Sequence, residues 1–205
     1  AVISVPALAP THCANVSGLA AAPVRMPGAY NLIGVVNFDR SQPELRFDND
    51  TLVGATIGLG SGPDLRITSV SAPASANGSI RASYVVCNQG TAPSSGASVS
   101  VYLTADQTVS GSNFVGQGFV GGLATGACTS GSVTGPTSGL SGVFRIGAIV
   151  DENGAVLELN EANNTTLGAQ VGLGFGSDLI ISAISVPTSV DGSFTARARV
   201  CNVGT

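Results

Sequence analysis

Apolar residues in this chain recur at every second position, in short rows. Ile80, Ala82, Tyr84 and Val86 alternate with Ser79, Arg81, Ser83 and Val85. Val99, Val101 and Leu103 alternate with Ser98, Ser100 and Tyr102. Phe144, Ile146, Ala148 and Val150 form a third row, and Leu167, Ala169 and Val171 a fourth. A period of two places alternate side chains on opposite faces of an extended backbone, so each row predicts a half-buried strand. Further strands are predicted over 65–71, 113–120 and 126–134. Asn77-Gly78, Pro93, Gly111, Pro136 and Asn153-Gly154 punctuate them. About seven short strands per unit, with connections too short for helical crossovers, predict an all-β immunoglobulin-like sandwich of two sheets.

The pattern returns. Asp64 to Thr91 reappears 114 positions later as Asp178 to Thr205, with half of the positions identical and the same closing Cys-Asn-x-Gly-Thr. Thr51-x-x-Gly54 and Gly58-Leu59-Gly60 match Thr165-x-x-Gly168 and Gly172-Leu173-Gly174. Further upstream the match slips by one residue, pairing Leu8 with Leu123 and Cys13 with Cys128. The expected organisation is therefore a tandem array. Residues 1–58 form the C-terminal half of a first unit and 63–172 a complete one. Residues 178–205 form the N-terminal strands of a third, completed by another chain or by following sequence. The Gly-rich linkers carry Leu59 and Leu173, which are expected to tuck between successive sandwiches and stiffen the array. A phosphate-cradling reading of these glycines would need a following helix, and a strand pattern follows instead.

Composition narrows the function. Charged residues are 10 % of the 205 residues, and the 28 glycines favour turns over helix. There is no lysine, and eight scattered arginines against a net charge of −4 offer no basic stripe for nucleic acid. The absence of lysine also excludes Lys–Asn isopeptide cross-links. No apolar run approaches the ~18 residues of a membrane span. The first residue is Ala rather than Met, which reads as a removed leader or as a window of a longer chain.

The opening Pro-Asp-Leu-x-Ile-x-x-Val-x-x-Pro over 63–73, the Asn88-x-Gly90-Thr91 turn and the tail Glu158-x-Asn160-Glu161-x-Asn163-Asn164 resemble a CARDB repeat, the cell-adhesion-related domain of bacterial and archaeal surface proteins. The resemblance covers the middle unit and extends into both partial ones. It implies an extracellular sandwich, usually in tandem and without catalytic activity, whose ligands vary. The first unit departs from the pattern, its tail reading Glu44-x-Arg46-Phe47-x-Asn49-Asp50.

Cys87 closes the second strand of the complete unit and Cys128 opens the fifth, antiparallel neighbours in a sandwich of this type. Cys87 is in phase with Arg81 and Ser83, and Cys128 with Ser130, Ser132 and Thr134, so both belong on an outer face. A cross-strand disulfide is expected there, which implies an oxidising compartment outside the cell. Paired structural thiols are the alternative, and a zinc site lacks the usual Cys-x-x-Cys or His ligands. Cys13 corresponds to Cys128 and Cys201 to Cys87, each without its partner in its own partial unit. They are expected to bond between chains or between repeats. Either the sequence is a window of a larger repeat protein, or subunits polymerise head to tail, the tail of one and the head of the next making a nearly whole sandwich that lacks the equivalent of about residues 92–115, which includes the third strand.

Other candidate chemistry is sparse. His12, the only histidine, precedes Cys13 in an extended stretch, where neighbours point to opposite faces, so no Cys–His nucleophile is expected. No catalytic residues and no cofactor are assigned. Asp151, Glu152, Asn153, Glu158, Asn160 and Glu161 offer oxygens to a Ca²⁺ ion, against the alternative of a turn at Asn153-Gly154 and a second turn capped by Asn side chains. Asn15, Asn49, Asn77, Asn163 and Asn164 lie in glycosylation sequons and permit surface glycan. The reading is a structural extracellular filament, fibre or adhesin stalk whose partner is itself. The alternative is a cell-surface binding module for carbohydrate or protein, using loops at the sandwich ends. A secreted enzyme with its catalytic domain elsewhere is a third reading.

Overall fold

The computed structural model describes residues 1–21, 26–109 and 113–205, so the predicted break at Gly111 lies outside the described residues. The described residues hold strands and no helix. The chain divides into two units, Ala1–Gly60 and Ser61–Thr205.

The first unit carries one hairpin, β1 (Gly28–Val35) with β2 (Thr51–Leu59). The second opens with β3 (Leu65–Ser71), the two-residue β4 (Ser75–Ala76) and β5 (Ser79–Asn88). It continues through β6 (Ala97–Thr104), β7 (Phe114–Val120), β8 (Cys128–Pro136), β9 (Gly142–Val150) and β10 (Thr165–Leu173). These form a three-stranded sheet, β3-β5-β8, and a five-stranded sheet, β4-β10-β9-β6-β7. The inner faces meet in one apolar core containing Leu65, Ile67, Ile80, Tyr84, Val86, Val99, Val101, Leu103, Ile146, Val150 and Val171. The alternation in β5 is obeyed: Ile80, Ala82, Tyr84 and Val86 are buried, and Arg81 and Ser83 exposed. A last hairpin, β11 (Leu179–Ser185) with β12 (Arg197–Asn202), ends the chain.

Three expectations need correction. The row Leu167, Ala169, Val171 does not keep one face, because a bulge between Leu167 and Gln170 reverses the parity of β10. Ala169 is exposed, while Val171 and Leu173 point inward. The bulge falls where Gly168 meets the backbone of Val70, and a side chain there would collide with it. The row through Ser98, Ser100 and Tyr102 is not an open face either. Ser100 and Tyr102 are buried, since β6 lies between β7 and β9, with Phe114 packed 5.5 Å from the Tyr102 ring. Leu173 does not sit between sandwiches. It is buried in the core at the end of β10, and Leu59 is half-buried at the end of β2.

The motif Cys-Asn-x-Gly-Thr closes the sandwich at one end. The Asn88 side chain is fully buried and makes four hydrogen bonds. Its Oδ1 accepts from Asp64 N (3.1 Å) and Gly90 N (3.0 Å), and its Nδ2 donates to Ala92 O (2.8 Å) and Leu123 O (3.0 Å). Gly90 lies against the backbone of Gly62, Pro63 and Asp64, too close for a β-carbon. Thr91 N donates to Gly62 O (2.9 Å).

The same construction stands 114 residues on. β11 pairs with β12 in the register of β3 with β5: Leu179 opposite Asn202 as Leu65 opposite Asn88, with the bulge at Ile181/Ala183 as at Ile67/Ser69. Asp178 N donates to Asn202 Oδ1 (2.9 Å), and Thr205 N to Gly176 O (3.0 Å). The β1–β2 hairpin likewise matches β9–β10, Gly28 opposite Leu59 as Gly142 opposite Leu173, each with its bulge in the same place. What differs is cover. Leu65, Ile67, Val70, Ile80 and Val86 are 0–7 % exposed, whereas Leu179, Ile181, Ile184, Phe194 and Val200, their counterparts, are 58–69 % exposed. Tyr30, Leu32 and Val36 in the first unit are 41–62 % exposed, where Ile146 and Val150 are fully buried.

Candidate functional site

The acidic loop after β9 is the densest group of chemistry-bearing side chains. Asp151 adopts φ 51° and Gly154 φ 62°, and Gly154 N donates to Asp151 O (2.9 Å) to close the turn. The Asp151 carboxylate then accepts from Ala155 N (3.1 Å) and Val156 N (2.7 Å), folding the chain back under it. Glu158 reaches across the sandwich, its Oε2 accepting from Leu65 N (2.5 Å) and its Oε1 from Asn164 Nδ2 (3.1 Å). Glu161 Oε1 accepts from Glu158 N (2.9 Å), and Asn160 Oδ1 from Ala162 N (3.2 Å).

Of the sequence-predicted Ca²⁺ ligands, the fold brings together Asp151, Glu158 and Glu161, each with a carboxylate oxygen within 4.8 Å of the others'. It does not bring Glu152, whose carboxylate accepts from Tyr102 Oη at 2.9 and 2.7 Å, and Asn153 is exposed. Burial pushes the Glu158 carboxyl up to about 7. The Leu65 N–H and the Asn164 amide pull the other way, and the Glu161 and Asp151 charges add to the rise. The cluster therefore carries a proton on Glu158 over part of the neutral range. It would also suit an oxygen-seeking divalent cation.

The first unit solves the same crowding differently. Asn37 stands where Asp151 stands, at φ 48°, and Arg40 where Gly154 stands, at φ 55°. Asn37 Nδ2 donates to Glu44 Oε1 (2.7 Å), Glu44 being the counterpart of Glu158. Phe47 replaces Glu161 and lies beneath the Arg40 guanidinium, 5.5 Å from its ring centre. An amide and an aromatic ring do there what two further carboxylates do in the second unit.

Cys87 and Cys128 are bonded. They face one another across β5 and β8, bracketed by the bond from Asn88 N to Ala127 O (2.9 Å), which makes theirs the narrow, non-hydrogen-bonded kind of pair. Thr68 Oγ1 lies 3.6 Å from Cys87 Sγ. Cys13 and Cys201 are free. Of the sequon asparagines, Asn15, Asn49 and Asn77 are exposed. Asn163 donates to Asp64 Oδ1 (3.0 Å) and Asn164 is buried against Glu158, so these two are structural. His12 Nδ1 sits 3.0 Å from Pro10 O, within its own turn. A groove of about 520 Å³ runs beside 174–178, lined by glycines and by the apolar side chains of Val143, Leu173, Phe175, Ile180 and Val203, with Asp178 its one charged group. No helix among the described residues is long and apolar enough to cross a membrane.

Two packed sheets of mostly antiparallel strands, a disulfide between β5 and β8 and an acidic clamp at one end make an immunoglobulin-like β-sandwich. The profile of the CARDB family matches residues 62–167, more than half of the chain, and the chain belongs to that family. Among solved structures, the CARDB domain of a Pyrococcus furiosus protein, determined in complex with di-metal ions, is 25 % identical. The match covers 55 % of this chain and 90 % of that one, with a TM-score of 0.43. A domain of a Methanosarcina acetivorans protein named for the cell surface is 26 % identical over 54 % of this chain and 91 % of that one, with a TM-score of 0.44. A β-glucosidase from Erythrobacter marinus is 15 % identical over 55 % of this chain but only 16 % of the enzyme, with a TM-score of 0.39. No curated protein matches.

Proposed function

We propose that this is a non-catalytic extracellular structural protein, a tandem array of CARDB sandwiches running head to tail in a filament, fibre or adhesin stalk, with each partial sandwich completed by further polypeptide of the same chain or of another. One observation carries the reading. The β11–β12 hairpin repeats the register of β3–β5 yet leaves bare the apolar face that β3–β5 buries. Such a face, with an unpaired strand edge beside it, binds more polypeptide of the same kind, and a head-to-tail contact does not close on itself. The disulfide fits an oxidising surroundings. The acidic loop acts as a clamp between β3 and the 151–164 loop, and isothermal titration with Ca²⁺ tests whether it also holds a cation. Electron microscopy of purified material tests the array. Uniform filaments support it, whereas dispersed single particles that bind a glycan or protein ligand would replace it with the binding-module reading.

A further inference from the structure

We infer that residues 174–178 form a closing elbow: Phe175 turns into the groove beside it and packs on Val143, Ile180 and Val203, fixing the β11–β12 hairpin at one angle to the middle sandwich. The inference concerns a single chain. It goes beyond the array reading, since it needs neither a second copy nor further sequence.

Hydrogen bonds leave the elbow narrow. On the sandwich side, Gly174 N donates to Ala76 O (3.1 Å). On the hairpin side, Thr205 N donates to Gly176 O (3.0 Å) and Gly176 N to Thr205 Oγ1 (3.3 Å). Phe175 is the residue between them, and Gly174 stands at φ 114°, a backbone that favours glycine. Ser75 Oγ donates to Val203 O (2.5 Å), and Thr205 Oγ1 to Gly174 O (2.6 Å). These two bonds hold hairpin and sandwich in contact while the torsions around Phe175 turn.

Burial on the hairpin is inverted. Leu179, Ile181 and Ile184, whose counterparts in β3 are mostly core, are 62–69 % exposed. The outer side is the sheltered one. Ile180 is 41 % exposed and Val203 half-buried, and both line the groove with Val143, Gly172 and Leu173 of the sandwich. In the complete unit these outer positions hold Arg66 and Gln89, both exposed. The correspondence is exact in the backbone, Val203 N donating to Asp178 O (2.7 Å) as Gln89 N donates to Asp64 O (2.7 Å). A completed third sandwich therefore leaves Ile180 and Val203 on its surface, and its own fold requires nothing apolar there.

Four residues change together. The positions 114 residues earlier are Ala29, Ser61, Arg66 and Gln89; here they are Val143, Phe175, Ile180 and Val203. One lies on β9, one in the linker and two on the hairpin, and all four line the same groove. Small or polar has become large and apolar on every wall at once. That is what mutual burial requires, because apolar surface gains only when its neighbour also leaves water. Phe175 is the filler. It is 89 % exposed in the open arrangement, a glycine flanks it on each side, and Gly172 opposite Val143 brings no side chain into its path. The bracing expected of Leu173 thus falls to Phe175.

The test is brief chymotrypsin digestion of the dilute full chain under native conditions, with cut sites read by mass spectrometry, since this protease cuts after large apolar residues. Phe38, 87 % exposed in the first unit, is the internal reference. Cleavage after Phe175 should lag that after Phe38 by about tenfold, because cutting tracks the open fraction. Ile180→Arg with Val203→Gln installs the residues that the β3–β5 counterpart carries, and should raise cleavage after Phe175 to the Phe38 rate with the circular dichroism unchanged. Phe175→Trp gives a second reading in a chain with no tryptophan of its own. Its emission should be blue-shifted, and should move to the red when the Ile180→Arg and Val203→Gln changes are added. Cleavage after Phe175 as fast as after Phe38 in the unsubstituted chain, or an emission that those two changes leave unmoved, overturns the elbow. Filaments built from chains with an open elbow overturn it too and leave the array standing. A closed elbow in chains that never assemble supports it and counts nothing for the array.

Discussion

Glu158 is a carboxylate that the fold keeps partly protonated. Its proton is held more tightly in the native chain, with the carboxyl at about 7, than in the unfolded chain, where it sits at the ordinary 4.5. Wherever the native state binds more protons, stability falls as pH rises. The contribution is therefore fully present below about 4.5, declines through about 7 and is level above. Thermal unfolding should show the melting temperature dropping across that window, and Glu158→Gln should remove that part of the drop. Asn88 and Gly90 set the other end of the sandwich. Asn88→Ala would strand the buried N–H groups of Asp64 and Gly90 and the carbonyl of Ala92, while Leu123 O would keep its bond from Ser94 N. A loss of about 2–4 kcal/mol in urea denaturation is expected, since each orphaned buried group costs about 1–3 kcal/mol before relaxation. Gly90→Ala should cost about 2–3 kcal/mol by driving a methyl into backbone that cannot retreat.

Pairing of β5 with β8 is held both by its ladder and by the Cys87–Cys128 bond, which spans 41 residues of sequence. Closing a loop of that length is worth about 3–4 kcal/mol on the chain-entropy account. Cys87→Ser with Cys128→Ser should lower the unfolding free energy of the sandwich by about that amount, measured against the oxidised parent in urea. Because Thr68 and not the core lies beside the sulfur, the loss should come without a rearranged interior, and near-ultraviolet circular dichroism of the aromatic side chains should be unchanged. The β10 bulge is a second element-level device. It lets Gly168 pass the backbone of Val70 and then returns Val171 and Leu173 to the core, so both halves of one strand serve the same interior.

At the scale of the whole molecule, the proposed array turns on the bare β11–β12 face. Ile181→Asp places a charge on a surface that is solvated in the isolated chain and buried in the proposed array. It should leave the melting of the middle sandwich unchanged and abolish filaments in electron micrographs, since burying an unpaired carboxylate in an apolar seam costs several kcal/mol. Filaments formed by Ile181→Asp would place the growing contact elsewhere.

Strand identity in this protein was written locally. Alternation in Ile80 to Val86 and in Phe144 to Val150 marks a face, because side chains in an extended backbone alternate whatever lies beyond them. The 114-residue correspondence was equally legible, since it compares the chain with itself, and cysteine parity was enough to place Cys87 and Cys128 on an outer face. Other features depend on residues far apart in sequence. The parity of β10 turned on a backbone nearly a hundred positions away at Val70. Leu173 went to the core because β10 continues two residues past Val171 beside β4. The acidic run read as one cluster, yet Tyr102 drew Glu152 aside and Leu65 N–H drew Glu158 inward. Local spacing dictates which way a side chain points; only the packed sheets dictate what it meets, because a buried polar atom takes whichever partner the fold brings within reach.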